Sequence, residues 1–160
     1  MHATEKPESN ESDALSATQR ELKSYCTFRV DDLLFGVEVR QVQEVIRSHP
    51  TTSIPLAPPL VQGLMNLRGQ IVSALDLRHS LGLPQKEDAK LMNVVIRSAE
   101  GPISLLVDEI GDVVEVEDTR YEPVPETLQS EQRELLRGAF KLDDQLLLIL
   151  DTERVIRVPA

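Results

Sequence analysis

The segment GLMNLRGQIVSALDLRHSLGL, residues 63–83, determines the fold predicted for this chain. Its apolar residues form two short strand-like runs, Gly63–Leu67 and Gln70–Leu75, and Arg68-Gly69 lies between them. A two-residue connection that ends in glycine is typical of a tight β-hairpin, because glycine adopts positive φ without a steric penalty. The segment therefore predicts a hairpin with Arg68 at its tip, away from any core.

A short helix is predicted directly after the hairpin. Asp76 suits the N-cap position of a helix over Leu77–Leu81, because its carboxylate can accept hydrogen bonds from the first free backbone N–H groups. Gly82 can end the helix, and Pro84 cannot continue it.

The same pattern recurs later in the chain at an offset of 75 residues. Gly63, Leu67, Leu75 and Asp76 recur as Gly138, Leu142, Leu150 and Asp151, and Ile71 becomes Leu146. Ahead of it the offset is 71, where Glu38, Val42, Glu44 and Val45 recur as Glu109, Val113, Glu115 and Val116. An internal repeat of this kind predicts two similar β units related by a pseudo-two-fold axis.

The two copies differ at the hairpin tip, where the second copy has Asp143-Asp144 in place of Arg68-Gly69. Aspartate is ordinary turn chemistry, so the turn itself does not require an arginine. Arg68 is therefore either a solvated turn residue or a residue with a separate function, and the repeat leaves both interpretations open.

The remaining periodicity is mostly that of strands. Strands are predicted at Tyr25–Val30, Leu33–Val39, Leu91–Ile96 and Leu146–Leu150, and from Ile103 through Val116. Val42, Val45 and Ile46 fit either a short helical turn or an irregular strand. Loops are predicted at His49–Pro59 and Glu115–Glu126, and short helices at Glu131–Leu136 after a Ser130 cap and from Asp151 to Ile156.

Composition favours a mainly β protein and excludes several functions. The 160 residues are 41% hydrophobic but only 3% aromatic, so Val, Leu and Ile must build the core. The net charge of −10 argues against a broad phosphate-binding surface and against direct docking on anionic lipid. Cys26 is the only cysteine, so no internal disulfide can form.

Residues 1–22 are polar and acidic and are predicted to be a disordered tail. No apolar run reaches the length of about 20 residues that a membrane span needs. We expect a soluble, cytoplasmic protein.

No catalytic, metal-binding or cofactor-binding motif stands out in the sequence. The glycines form neither GxGxxG nor GxxxxGK[ST], and the chain contains no HExxH or CxxC. Asp76 and Asp151 occupy cap positions in the repeat, which explains both carboxylates without acid–base catalysis. We predict no enzymatic activity, metal or cofactor, whereas a convergence of Asp76, Asp108 and His79 in one closed cleft would argue for an enzyme.

Several valines are too closely spaced for one buried strand face. Val37, Val39, Val42 and Val45 alternate so densely that they fit either the two cores or an exposed binding groove.

Three segments together resemble the CheW family of bacterial chemotaxis coupling proteins. They are FGVEVRQVQEVI, TSIPLAPPLVQGLMNLRGQIVSALDLRHSLGL and LLVDEIGDVVEV, and the most specific part is NLRG at 66–69 followed by an apolar strand and DLR at 76–78. The resemblance implies two SH3-like five-stranded β-barrel subdomains with short helices, intertwined in a pseudo-two-fold arrangement about a shared core. It implies a single CheW-like domain over residues 23–160.

The resemblance also implies a non-catalytic adaptor that couples the cytoplasmic tip of a chemoreceptor (a methyl-accepting chemotaxis protein) to the regulatory domain of a CheA-type histidine kinase. The receptor helix would lie in an apolar groove between the barrels, and barrel ends would meet in rings. The positions carried over as receptor or kinase contacts are Val42, Glu44, Val45, Gly63, Arg68 and Val113. Arg68 would offer a fork of donors and fix its loop, and Gly63 would allow close backbone approach.

One alternative remains within the same family. The chain could be an accessory protein of a gliding or pilus motility system, which binds the receptor, or competes for it, without activating the kinase. Neither function implies binding to nucleic acid or insertion into a membrane; we expect a cytoplasmic protein recruited to receptor arrays at the inner membrane.

Overall fold

The computed structural model describes residues 22–85 and 90–157. The predicted tail lies outside the described residues except for Leu22, which begins the first strand. Residues 86–89 of the charged segment before the second half of the chain also lie outside them.

The described residues form eleven strands, three short α-helices and two 3-10 turns. The strands are β1 (Leu22–Val30), β2 (Leu33–Glu38), β3 (Val42–Ile46), β4 (Val61–Leu67), β5 (Gln70–Asp76), β6 (Met92–Ile96), β7 (Ile103–Val107), β8 (Glu109–Glu117), β9 (Tyr121–Glu122), β10 (Leu136–Lys141) and β11 (Leu146–Leu150). The helices are α1 (Leu77–Ser80), α2 (Ser130–Arg133) and α3 (Thr152–Ile156), and the 3-10 turns are Val39–Gln41 and Asp118–Arg120.

The hairpin predicted from residues 63–83 is confirmed. Arg68 and Gly69 connect β4 to β5 with φ values of 54° and 82°, as a two-residue hairpin of the I′ kind requires. The backbone N–H of Gly69 donates to the Asn66 side chain at 2.9 Å, which stabilises the turn from within its own segment.

Both predicted aspartate caps are also confirmed. The Asp76 carboxylate accepts a hydrogen bond from the Arg78 backbone N–H at 3.0 Å at the start of α1. The Asp151 carboxylate accepts one from the Arg154 N–H at 3.3 Å at the start of α3. Gly82, with φ of 69°, follows α1 as expected.

The strands form two sheets that exchange strands between the halves of the chain. One sheet has six strands in the order β8-β1-β2-β11-β10-β9, and the other has five in the order β3-β6-β7-β5-β4. β1 and β2 of the first half therefore join strands of the second half, while β6 and β7 of the second half join strands of the first. The mainly β fold with two barrel subdomains is confirmed, and the short β9 adds a sixth strand to one of them.

The predicted offset of 75 is confirmed by strand pairing. β4 and β5 pair with a bulge between Val61 and Gly63, where Gly63 lies opposite Ala74. β10 and β11 pair with a bulge between Leu136 and Gly138, where Gly138 lies opposite Ile149. The bulge thus falls at equivalent residues in both copies.

The predicted offset of 71 is wrong, because the pairing of the earlier strands gives 68. In the first copy, Val42 and Val45 of β3 pair with Ile96 and Val94 of β6. In the second copy, Ile110 and Val113 of β8 pair in the same way with Phe28 and Cys26 of β1. Val113 is therefore the counterpart of Val45, and Ile110 is the counterpart of Val42. Strands rich in Val and Glu give identities at several offsets, so residue identity alone misplaced the register.

Three clusters of buried residues fill the structure. The largest lies between the sheets and takes side chains from both, among them Phe28, Phe35, Leu105 and Leu148. A second, which includes Met65 and Val72, belongs to the five-stranded barrel. The third belongs to the six-stranded barrel, and it includes Tyr25, Phe140 and Leu147.

Two predicted elements differ in extent from those in the structure. The loop predicted at Glu115–Glu126 begins too early, because β8 continues to Glu117 with Val114 and Val116 packed on the core. The helix predicted at Glu131–Leu136 is wrong at both ends: it covers Ser130–Arg133 and has no side-chain cap. Leu136 is buried and pairs with Leu150, so sheet pairing outweighs the local helical pattern.

The segment left open between a helical turn and a strand is an irregular strand, β3, with a bulge between Val42 and Glu44. The strands predicted from Ile103 through Val116 are confirmed as β7 and β8, and Asp108 lies between them.

Replacing Phe28 with alanine should destabilise the protein by about 3–5 kcal/mol, because it opens a cavity in the core shared by both sheets. Phe28 is fully buried and its ring stacks on Phe35 at a centroid distance of 6.0 Å. Urea unfolding measures the loss, with Ile71→Ala as the control, since Ile71 is 61% exposed. Equal losses for the two variants would contradict this assignment of the core.

Candidate functional site

Five of the six candidate residues lie on the five-stranded sheet. Val42, Glu44 and Val45 belong to β3, Gly63 belongs to β4, and Arg68 forms the β4–β5 turn. Within the described residues β3 and β4 are the two edges of this sheet, and the seam of the barrel is the gap between these edges. Val113 lies apart from them, on the edge strand β8 of the six-stranded sheet.

An ion pair spans this seam. A terminal nitrogen of the Arg68 guanidinium lies 3.0 Å from a Glu44 carboxylate oxygen. The Arg68 side chain is 82% exposed and the Glu44 side chain only 16% exposed. The pair therefore joins the hairpin tip to β3, and most of the guanidinium surface remains available for an external acceptor.

The valines of the candidate set have different environments. Val45 is 40% exposed and its counterpart Val113 is 59% exposed, so each barrel presents an apolar side chain on an edge strand. Val42 packs against the core between the sheets instead. The structure thus assigns surface positions to Val45 and Val113, and a partly buried position to Val42.

Gly63 allows a close approach within the chain itself. A Cβ atom at this position would lie 2.6 Å from the carbonyl oxygen of Thr52. Thr52 and Leu64 exchange two backbone hydrogen bonds of 2.8 and 2.9 Å, which fasten the proline-containing loop onto the edge of β4. Gly138 has the same role in the second copy, where the Tyr121 ring of β9 lies over it.

Arg78 is a prominent buried residue to which the sequence assigned no role beyond membership in the DLR triplet. Its side chain is 5% exposed and contacts the carboxylates of both Asp108 and Asp31. The hydrogen bonds that Arg78 donates to Asp108 are the main reason that the pKa of Arg78 is raised above its usual value. Its partners lie 30 and 47 residues away in the sequence, so no local pattern identifies them.

Burial also raises the pKa values of other side chains on β1. Burial raises the pKa of Tyr25 to about 12, with a further contribution from the nearby Glu38 charge. Burial also raises the pKa of the Cys26 thiol, which lowers the fraction of thiolate at neutral pH.

The residues that would have argued for an enzyme do not converge in one cleft. Asp76 caps α1 and also accepts a hydrogen bond from Gln85 at 2.8 Å, while Asp108 pairs with Arg78. His79 instead lines an open cleft of about 680 Å³, whose lining includes neither aspartate. In the described part of the chain no cluster of three or more His, Cys, Asp or Glu side chains could hold a metal ion.

Comparison with known proteins identifies the family of this chain. The family described as the CheW-like domain matches residues 24–160. The chain belongs to the CheW family. A probable chemotaxis protein CheW of Rhizobium etli is 30% identical over 141 residues, which are 88% of this chain and 89% of that protein.

A solved structure shares the fold. The scaffolding protein TtCheW of Thermoanaerobacter tengcongensis matches with a TM-score of 0.77 and 25% identity, over 85% of this chain and 93% of that one. Protein FrzA of Myxococcus xanthus is 38% identical, but only over 64 residues, which are 40% of each chain. The CheW-like barrels of this chain contain no helix, among the residues described, that is long and apolar enough to span a bilayer.

Gly63→Ala should lower the free energy of unfolding by about 1–3 kcal/mol, because the added methyl group would collide with the Thr52 carbonyl. Hydrogen exchange at the Thr52 and Leu64 amides should accelerate as the loop lifts from β4. Gln62→Ala, at an exposed position of the same strand, is the matched control. Unchanged exchange at both amides in Gly63→Ala would show that Gly63 does not hold the loop.

Proposed function

We propose that this protein is a non-catalytic adaptor that couples chemoreceptors to a CheA-type histidine kinase in a chemosensory array. The observation that carries the proposal is the exposed Arg68, paired to Glu44 of β3, in a chain of the CheW family. The same strand also presents the exposed Val45, and a strand that offers both an apolar side chain and a paired, exposed cation suits a protein–protein contact.

The arrangement of the two barrels supports contact with two partners. Val45 and Val113 hold equivalent positions on edge strands of different sheets, so the chain presents two related surfaces. Their surroundings differ, because the hairpin tip is Arg68-Gly69 in one barrel and Asp143-Asp144 in the other. Two related but differently charged surfaces allow one molecule to distinguish two protein partners.

The adaptor has no reaction of its own and works in the cytoplasm, recruited to receptor arrays at the inner membrane. Its partners are the regulatory domain of the kinase and the cytoplasmic tip of the receptor. Val42, Glu44, Val45, Gly63, Arg68 and Val113 form or support the contacts, with Val42 and Gly63 acting from beneath the surface.

Reconstitution tests this function directly. Kinase phosphorylation is measured with receptor tips and a CheA-type kinase from the same cell, with and without this protein. The adaptor raises kinase activity and makes it respond to the receptor. Kinase activity that is identical in both mixtures would contradict the proposal.

The partial similarity to FrzA favours one alternative, an accessory CheW-like protein of a gliding or pilus motility system. Such a protein binds the receptor, or competes for it, without activating the kinase. Separate binding measurements with each partner distinguish the two functions, because the accessory protein binds the receptor alone and the adaptor binds both.

Replacing Arg68 with alanine or glutamate should weaken assembly with receptor and kinase by about tenfold, the loss expected for one charge-assisted hydrogen bond. Folding stability should change by less than about 1 kcal/mol, because exposed ion pairs contribute little. Titration of the ternary complex and urea unfolding measure the two effects.

Arg40→Ala provides a closely matched control for this experiment. Arg40 pairs with Glu38 at 2.9 Å, and the two side chains are 81% and 17% exposed, nearly the values of the Arg68 pair. Equal assembly by the Arg68 and Arg40 variants would remove Arg68 from the contact surface.

A further inference from the structure

Arg78 is held by contacts on every side of its guanidinium. Its Nε and one terminal nitrogen donate to the two oxygens of Asp108 at 3.2 and 2.7 Å, and the same terminal nitrogen donates to Asp31 at 2.7 Å. The other terminal nitrogen donates to the Pro84 carbonyl at 2.9 Å. The forked contact with Asp108 fixes the plane of the guanidinium as well as its position.

These contacts join the two barrels. Arg78 lies on α1, directly after the last strand of the first half, β5, which belongs to the five-stranded sheet. Asp31 lies in the turn between β1 and β2 of the six-stranded sheet, and Asp108 lies where the chain passes from β7 to β8, that is, from one sheet to the other. The Asp31 backbone N–H also donates to Asp108 at 2.8 Å, so the three residues form one unit.

The equivalent junction on the other side of the pseudo-two-fold axis is built differently. There α3 contacts the chain ahead of β3 through a neutral hydrogen bond, from Gln41 to Thr152 at 3.3 Å. An open cleft of about 790 Å³ adjoins this bond, with Arg97 and Glu153 among its lining residues. Arg97 also donates there to the carbonyl oxygens of Arg40 and Val42, at 2.9 and 2.8 Å. Among the described residues, a buried arginine paired with two carboxylates therefore secures one junction, and hydrogen bonds to neutral acceptors secure the other.

This asymmetry has a physical consequence. A forked pair with a nearly buried arginine resists rotation, because a change of angle breaks several charge-assisted bonds at once. Hydrogen bonds to neutral acceptors resist rotation less. The ionic contacts of Arg78 therefore add to the shared core in fixing the orientation of one barrel relative to the other.

We propose that Arg78 is a positioning residue, which fixes the angle between the two barrels so that partners bound to different barrels are held in one geometry. This inference rests on the proposed adaptor function. Loosening the contact leaves binding to each single partner intact and impairs the transmission of receptor state to the kinase.

Asp31→Asn is the sharpest test of the Arg78–Asp31 contact, which joins the two barrels. It removes the charge that Arg78 contacts on the six-stranded side and leaves the pair with Asp108 in place. Asp31 has φ of 58°, a conformation that asparagine adopts readily, so the turn itself is preserved. Asp32→Asn, in the same turn but outside these contacts, is the matched control, and Arg78→Gln is a stronger second variant.

Three properties of each folded variant are measured. Spin labels at Gln70→Cys and Lys141→Cys, one exposed position on each barrel, report the distance between barrels in a Cys26→Ala background. Receptor control of kinase activity is measured with the unlabelled protein, together with the affinity for each partner alone.

We expect Asp31→Asn to broaden the distance distribution and to reduce receptor control by about fivefold or more, the lower end of typical coupling between sites. Its affinity for each partner should remain within about twofold of the parent protein, as for independent sites. A narrow distribution and full control in both Asp31→Asn and Arg78→Gln would overturn the positioning role. Absence of any receptor control with the parent protein contradicts the adaptor function instead, and the distance measurement then still decides the role of Arg78 in barrel orientation.

Discussion

The exchange of strands between the two halves of the chain constrains every other feature of the structure. Each sheet contains strands from both halves, joined by parallel pairing of β2 with β11 and of β5 with β7. Neither half can complete its own barrel, because a sheet lacking its exchanged strands would expose unpaired edges and half of a core. The shared core between the sheets, which includes the fully buried Phe28 and Leu105, therefore forms only when both halves fold together.

The surface proposed for partner binding follows from the same exchange. The third strand of each half, β3 or β8, stays in the barrel that holds the later strands of its own half. It pairs there with a strand exchanged from the other half, β6 or β1, and is an edge strand within the described residues. Val45 and Val113 are exposed because they lie on these edges and face away from the cores. Duplication thus produces two related surfaces, and the difference between Arg68-Gly69 and Asp143-Asp144 makes them chemically distinct.

Local features of this fold were predictable from the sequence, and features that depend on distant residues were not. The Arg68-Gly69 hairpin and the two aspartate caps depend on residues a few positions apart, so the sequence specifies them directly. The length of β8 and the start of β10 depend on cross-strand partners, and the sequence patterns misplaced both. The burial of Arg78 depends on Asp31 and Asp108, which only the completed fold brings to it.

The candidate site shows the same division. The resemblance to the CheW family identified Arg68, but not its pairing with Glu44 across the seam of a barrel. Gly63 was expected to allow close backbone approach, and the structure identifies that neighbour as Thr52 of the same chain. Residue identity matched Val113 to Val42, whereas strand pairing makes Val113 the counterpart of Val45. The side-chain pattern of a strand repeats every two residues, so the pattern alone does not fix the register.

The central claim is that one molecule holds two different protein partners at once. Sedimentation velocity with three distinct fluorophores, one each on this protein, the regulatory domain of the kinase and a receptor tip fragment, tests it most directly. The account predicts a single boundary that carries all three colours at stoichiometric ratio. Two separate boundaries, in which the receptor fragment displaces the kinase domain from this protein, would contradict it.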